Sequence, residues 1–257
     1  MTANYHTHTP RCRHASGTER EYAENARKGG LRILGFSDHT PYDYFDSAPR
    51  SRPIRMTPEE LPGYADSVRA LAAEYEGRME ILLGVEAEYY PKYFSRLLEM
   101  LRENGVQYMI LGQHFLGNEV GESYCGRPTP EGSALERYVS QTIEAMETGL
   151  FTYFAHPDLL FYTGDGGFYQ RQMRRLCRAA RESGTALELN LLGIKGGRNY
   201  PDARFWQIAG EEGNTVILGR DAHTPTDFLE GEYEKRALEL AERFHFTPVS
   251  SVPIRNL

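Results

Sequence analysis

The chain has 257 residues, 40% of them hydrophobic, and a formal net charge of -7, enough for one large α/β domain with its own core. The acidic balance argues against a nucleic-acid footprint, and no run nears the roughly 18 apolar residues of a membrane span. Three scattered cysteines with no C-x-x-C pair, and no basic-then-apolar leader, lead us to expect reduced thiols and a cytoplasmic location.

Strand-like apolar runs fall at about residues 2–6, 32–37, 80–88, 106–112, 151–155, 185–191 and 215–219, with helical patterns between them. The first helix starts at Thr18, with Glu21 three residues on in a capping-box arrangement, and stops at Gly29-Gly30. The second opens on Thr57-Pro58-Glu59-Glu60, an N-cap followed by proline at the first helical position, and ends near Gly77. Further helices are predicted at about 91–104, 133–148, 168–183, 201–212 and 226–244, most of them stopped by a glycine. Alternation of strand and helix predicts parallel strands joined by right-handed crossovers, either as an open doubly wound sheet or as a barrel. A single domain over residues 1–257 is the simpler organisation. Residues 40–56 and 115–132 form connections longer than packing requires. Both follow strands and so fall on the face where α/β proteins place their sites.

The eight histidines sharpen this map. His6 and His8, one residue apart on an extended segment, share a face and can reach one ion. His14 follows in the next loop. His39 comes after the second strand, His114 after the fourth, His156 after the fifth and His223, with Asp221, after the seventh. The third strand ends in Glu86 instead. In an open sheet these ends would spread over roughly 30 Å, too far for shared ions, whereas closure brings them to one mouth. We therefore expect a (β/α)7 barrel. Imidazole and carboxylate donors suit zinc, iron or manganese, and the donors outnumber what one ion accepts, so the site should be multinuclear.

Some positions have rivals. Glu88 shares the face of Glu86 and could replace it as ligand. Cys12 is either a ligand or a small loop residue. Asp38 and Asp158 either accept ring N–H groups of the neighbouring His39 and His156 or cap loops and helices. His245 reads as a structural or surface residue, and Gly164-Asp165-Gly166-Gly167 as a turn.

The stretches H-x-H, Ser37-Asp38-His39, Gly84-Val85-Glu86, Gln113-His114-Phe115, Ala155-His156-Pro157-Asp158 and Asp221-Ala222-His223 resemble, in kind and order, the PHP (polymerase and histidinol phosphatase) superfamily. Glu60-Leu61-Pro62-Gly63-Tyr64 and Leu187-Glu188-Leu189-Asn190, with Tyr200-Pro201 downstream, are similar to its histidinol-phosphatase branch. The resemblance implies a distorted, TIM-like (β/α)7 barrel with three divalent ions. One would take His6, His8, Glu86 and Asp221, with Glu86 bridging to a second held by His114 and His156. His14, His39 and His223 would hold the third. Two residues depart from the family pattern: Arg220, where serine is common, and Gln113, where a small or β-branched residue is common.

Such a site suits a small phosphate ester, because divalent ions provide hydroxide at neutral pH and neutralise phosphoryl oxygens. Glu86, Asp221 and His223 are expected to carry the catalysis. Lys195, Arg198 and Arg220 are the preferred phosphate-binding cations, and Arg50, Arg52 and Arg55 in the long second loop are further ones. L-Histidinol phosphate is the substrate that the branch implies. Another small phosphate ester, or a metal-stabilised binding module without turnover, are the alternatives.

Overall fold

The structure is a computed structural model that describes residues 1–41, 54–119 and 122–257. Seven parallel strands follow one another in sequence order: β1 (Ala3–Asn4), β2 (Ile33–His39), β3 (Glu80–Ala87), β4 (Tyr108–Leu111), β5 (Phe151–Phe154), β6 (Ala186–Asn190) and β7 (Val216–Gly219). Around them run α1 (Glu19–Lys28), α2 (Leu61–Tyr75), α3 (Phe94–Glu103), α4 (Gly132–Glu147), α5 (Gly166–Glu182), α6 (Leu191–Gly196), α7 (Ala203–Glu211) and α8 (Gly231–Arg243). Helix α1 begins as expected, with Thr18 N donating to Glu21 Oε2 at 2.7 Å and Glu21 N donating to Thr18 Oγ1 at 3.3 Å. Two predicted helices open instead with 3₁₀ turns, at Pro58–Glu60 before α2 and at Pro225–Leu229 before α8.

Among the described residues, β1 and β7 form no ladder. Just past their ends His8 N donates to Ala222 O (2.9 Å) and Ala222 N to His6 O (3.1 Å), while Arg220 N donates to Asn4 Oδ1 at 2.8 Å. The sheet is thus a distorted (β/α)7 barrel, drawn shut at the mouth where the strands end.

Ala3, Tyr5, Leu82, Tyr108, Ile110, Tyr153, Ala186 and Ile217 fill the lower interior, with Val252 and Ile254 packed against them. Those last two belong to the C-terminal segment, which crosses beneath the barrel: Val249 N donates to Val216 O at 2.8 Å and Arg255 N to Thr152 Oγ1 at 3.2 Å. A second apolar layer packs the outer strand faces against the helices.

Tyr108 anchors the interior. Its hydroxyl donates to Tyr5 O at 2.7 Å, beside Phe36 O at 3.0 Å, so one side chain ties β4 to β1 and β2. Gly84 leaves it room, since a Cβ there would stand 2.2 Å from the ring. Tyr108→Phe should therefore cost about 1–3 kcal/mol of stability by stranding buried carbonyls, read as a lower denaturant midpoint at unchanged slope.

Candidate metal centre

Because the strands are parallel, their carboxyl ends meet at the mouth. A cavity of about 270 Å³ lies there, lined by His8, His14, His39, Glu86, His114, His156, Asp221 and His223, with Ile54, Phe115, Tyr124, Leu192, Arg198 and Tyr200 on its walls. Glu86 sits at the centre. Its Oε1 lies 2.9 Å from His156 Nε2 and 3.4 Å from His114 Nε2, and its Oε2 lies 3.0 Å from His39 Nδ1 and 3.5 Å from the Nε2 atoms of His6 and His8. Gly112 on the segment after β4 makes this possible, because a Cβ there would stand 2.0 Å from Glu86 Oε1. Across the cavity, Asp221 Oδ1 lies 3.1 Å from His8 Nε2, 3.3 Å from His6 Nε2 and 3.4 Å from His223 Nδ1. Asp221 and His156 both adopt positive φ, 50° and 34°, a conformation costly for a side-chain-bearing residue and concentrated at functional sites.

Outer groups aim several of the rings. His6 Nδ1 lies 2.8 Å from Glu188, His114 Nδ1 3.0 Å from Glu88, His14 Nδ1 2.7 Å from Cys12 O and His223 Nδ1 2.9 Å from Asp221 O. Acceptors at Nδ1 select the tautomer that leaves Nε2 as a lone-pair donor. His6 Nε2, His8 Nδ1, His39 Nδ1, His156 Nδ1 and Asp221 Oδ1 are buried and make no hydrogen bond. Buried polar atoms are normally satisfied; His8 Nδ1 faces Asp38, but His6 Nε2, His39 Nδ1 and Asp221 Oδ1 stand among the nitrogen and oxygen donors grouped about Glu86 and Asp221, a set that fits divalent cations. Three groups of donor atoms lie within 4.8 Å of one another: His6, His8 and Glu86; His6, His156 and Asp221; and His39, Glu86 and His114. His39 thus stands nearer Glu86 and His114 than the grouping with His14 and His223 would suggest. Cys12, the possible thiol ligand, is buried with His8 and His223 in a fourth such group, and burial pushes its thiol up to about 12.

The remaining expectations divide. Arg198 reaches the cavity wall and donates to Tyr200 Oη at 2.7 Å. Lys195 does not line the cavity. Residues 191–196, read from the sequence as strand end and loop, form helix α6, capped by Asn190, whose Oδ1 accepts from Gly193 N at 2.9 Å. That turn swings Lys195 outward onto Asp227 (2.7 Å) and Glu230 (2.8 Å). Arg220 does not line the cavity either. Ile217 and Gly219 face the barrel interior, so alternation along β7 turns Arg220 outward, to Glu234 at 2.8 Å. Arg55 is buried against Glu88 (3.1 Å) and Glu119 (2.7 Å), while Arg50 and Arg52 lie outside the described residues. Gln113 is buried and serves the backbone, its Nε2 donating to Phe115 O at 2.7 Å.

Asp38 faces His8 Nδ1 (3.6 Å) and accepts from Thr9 Oγ1 rather than aiming the ring of His39. Asp158 accepts from Asp202 N at 2.6 Å and Trp206 Nε1 at 3.0 Å, not from His156. Glu188 went unassigned in the histidine map because β6 carries no histidine. The signal was present in the inward parity of a lone acid within Leu187-Glu188-Leu189-Asn190.

Electrostatics couples protons to cations here. For His8, burial pulls the imidazole down, but the facing carboxylates of Asp221 (3.1 Å) and Asp38 (3.6 Å) outweigh it and push it up to about 9. His6 and His114 also rise, against burial, through Asp221 and Glu188 in one case and Glu86 and Glu88 in the other. Burial holds His39 well below its ordinary value and takes His223 down to about 3. Burial would raise Glu86, yet the charges of His114, His39 and His6 hold it well below the usual carboxylate range. Below about pH 9 a cation must therefore displace the His8 proton, and protons on His6 and His114 compete as well, so divalent-metal affinity should climb with pH. Calorimetry in buffers of different ionisation enthalpy should show protons released at pH 7; zero release would contradict this account.

The PHP domain family matches residues 4–191. A protein named "Probable histidinol-phosphatase" from Deinococcus radiodurans is 32% identical over 231 residues, spanning 86% of this chain and 85% of that protein. "Histidinol-phosphatase" of Bacillus subtilis is 33% identical over 254 residues, spanning 86% of this chain and 93% of that protein. The crystal structure of histidinol phosphate phosphatase from Lactococcus lactis, complexed with zinc, L-histidinol and phosphate, has the same fold, with a TM-score of 0.72 at 20% identity over 98% of this chain and 96% of that one. With the barrel, the ordered strand-end donors and these relatives together, the chain belongs to the PHP domain family, in its histidinol-phosphatase branch.

Proposed function

We propose that this chain is a metal-dependent phosphatase that hydrolyses L-histidinol phosphate to L-histidinol and phosphate, as a single-domain cytoplasmic enzyme of histidine biosynthesis. The observation that carries the reading is the set of orphaned imidazole and carboxylate atoms around one cavity, in a chain whose relatives are named for this reaction. His6, His8, His14, His39, Glu86, His114, His156, Asp221 and His223 would hold three divalent ions, of zinc, iron or manganese. Bound there, such ions stabilise charge on a phosphoryl group and lower the pKa of water towards neutrality.

The chain's own residues do the rest. Glu86 and Asp221 hold the imidazoles in a fixed array, and the half-closed cavity limits bulk water. Arg198 is the one side chain with a fixed positive charge among the described residues that line the cavity, which suits it to a phosphate dianion. On the same cavity wall, Phe115, Tyr124 and Tyr200 give aromatic faces on which an imidazole ring can stack. Gln113 and Arg220, atypical for the family, both stand off the cavity, so neither bears on the substrate directly.

A panel of phosphate monoesters assayed with zinc, manganese or iron tests the substrate: kcat/KM should be highest for L-histidinol phosphate, and a higher value for an unrelated monoester would overturn the assignment. Glu86→Ala and His114→Ala should abolish turnover and lower bound metal, while His245→Ala, at an exposed position, should change little. Arg198→Ala should raise KM and lower kcat, costing about 1.5–3 kcal/mol, or roughly 10- to 150-fold in kcat/KM, with metal content unchanged. Unaltered kinetics would remove Arg198 from the site.

A further inference from the structure

Glu188 is fully buried on β6 and accepts on both oxygens. Oε1 takes His6 Nδ1 at 2.8 Å and Tyr153 Oη at 3.2 Å; Oε2 takes His156 N at 3.1 Å and Asn190 Nδ2 at 2.8 Å. Two of these partners belong to the cation-facing array described above. His6 lies just past β1, two strands away from β6 around the closed barrel, with β7 between them. The carboxylate crosses that intervening strand at Gly219, where a Cβ would stand 1.7 Å from Glu188 Oε1. The backbone at Gly219 lies outside the left-handed region, so the obstacle to alanine is the carboxylate itself. Asn190 extends the same link, its Nδ2 also reaching Asp221 Oδ2 at 3.2 Å.

We propose that Glu188 is a positioning residue for the metal ligands: reaching across β7 through the gap at Gly219, it fixes the ring of His6 and the backbone of His156 together. The proposal rests on the reading that His6 and His156 hold metal. Donation from Nδ1 to Glu188 leaves the Nε2 lone pair of His6, beside Glu86 and Asp221, for a cation. The bond to His156 N restrains a residue whose φ of 34° needs support from its surroundings. A single buried group thereby sets the spacing of two donors whose rings lie 5.7 Å apart.

The test is zinc and manganese affinity of the full-length folded protein, by competition with a chromophoric chelator, for Glu188→Ala, Glu188→Gln, Gly219→Ala and the Glu188→Ala/Gly219→Ala double variant. Glu188→Ala and Gly219→Ala should each weaken binding about 10- to 100-fold. Glu188→Gln, which keeps one acceptor, should fall between wild type and alanine. The double variant should be no worse than the weaker single, because both changes remove one interaction. A carboxylate with only a packing role would lower the melting temperature and leave the affinity of the folded protein alone. Wild-type affinity in Glu188→Ala, or losses that multiply in the double variant, would overturn the proposal. If Glu188→Ala does not fold, wild-type affinity in both Glu188→Gln and Gly219→Ala overturns it equally. Wild-type protein that binds metal but ignores L-histidinol phosphate would instead defeat the substrate reading and leave this one standing.

Discussion

Two carboxylates, Glu86 and Asp221, are almost wholly removed from solvent at the open end of the barrel, and much of the structure follows from the need to neutralise them. A charge in such a place is tolerated only when paired or coordinated. Seven imidazoles gather round, of which burial drives His39 and His223 towards the uncharged form while the carboxylates draw His6, His8 and His114 the other way. The resulting array has more lone pairs than protons. Divalent cations, as in the proposed function, would remove that imbalance, and so many unbonded donors support that reading.

The barrel interior is accordingly divided by height. Below, tyrosines and aliphatic side chains pack with the C-terminal segment into a dry plug. Above, imidazoles and carboxylates crowd the strand ends. Tyr153 joins the two zones, its ring packed near Tyr5 and its hydroxyl 3.2 Å from Glu188. Small residues set the clearances in both: Gly84 admits the ring of Tyr108, and Gly112 and Gly219 admit the carboxylates of Glu86 and Glu188. A layered core of this kind lets rigid packing hold donors that would otherwise repel or collapse on one another.

Much of this was readable before any coordinates. Strand and helix order followed from apolar periodicity and glycine stops, and the barrel from the improbability of histidines marking so many strand ends in a flat sheet. Glu86 was preferred over Glu88, and the structure sets Glu86 at the centre with Glu88 a layer further out, on Arg55 and His114. Less visible was anything that depends on which way a side chain turns beyond a strand end. Lys195 and Arg198 are three residues apart, yet a short helix sends one outward and leaves the other on the cavity wall. Arg220 could have been assigned correctly by alternation along β7 from the inward-facing Ile217. The pairing of Asp38 with His8 and Thr9, and of Asp158 with Trp206, involves residues far apart in the chain that no local pattern joins. The arch beneath the barrel was missed because residues 247–257 carry neither helical nor strand periodicity.

The seam between β1 and β7 lacks a continuous ladder, and the two edges meet chiefly through Thr7 and Ala222 at the rim. His6 and His8 stand on one side of that seam, Asp221 and His223 on the other. Any ion shared between those sides acts as a clasp on the cylinder, doing for the first and last strands what backbone pairing does for the other six junctions. Binding of such an ion would thus be coupled to closure of this seam, and its removal would be felt first at the chain's amino-terminal edge.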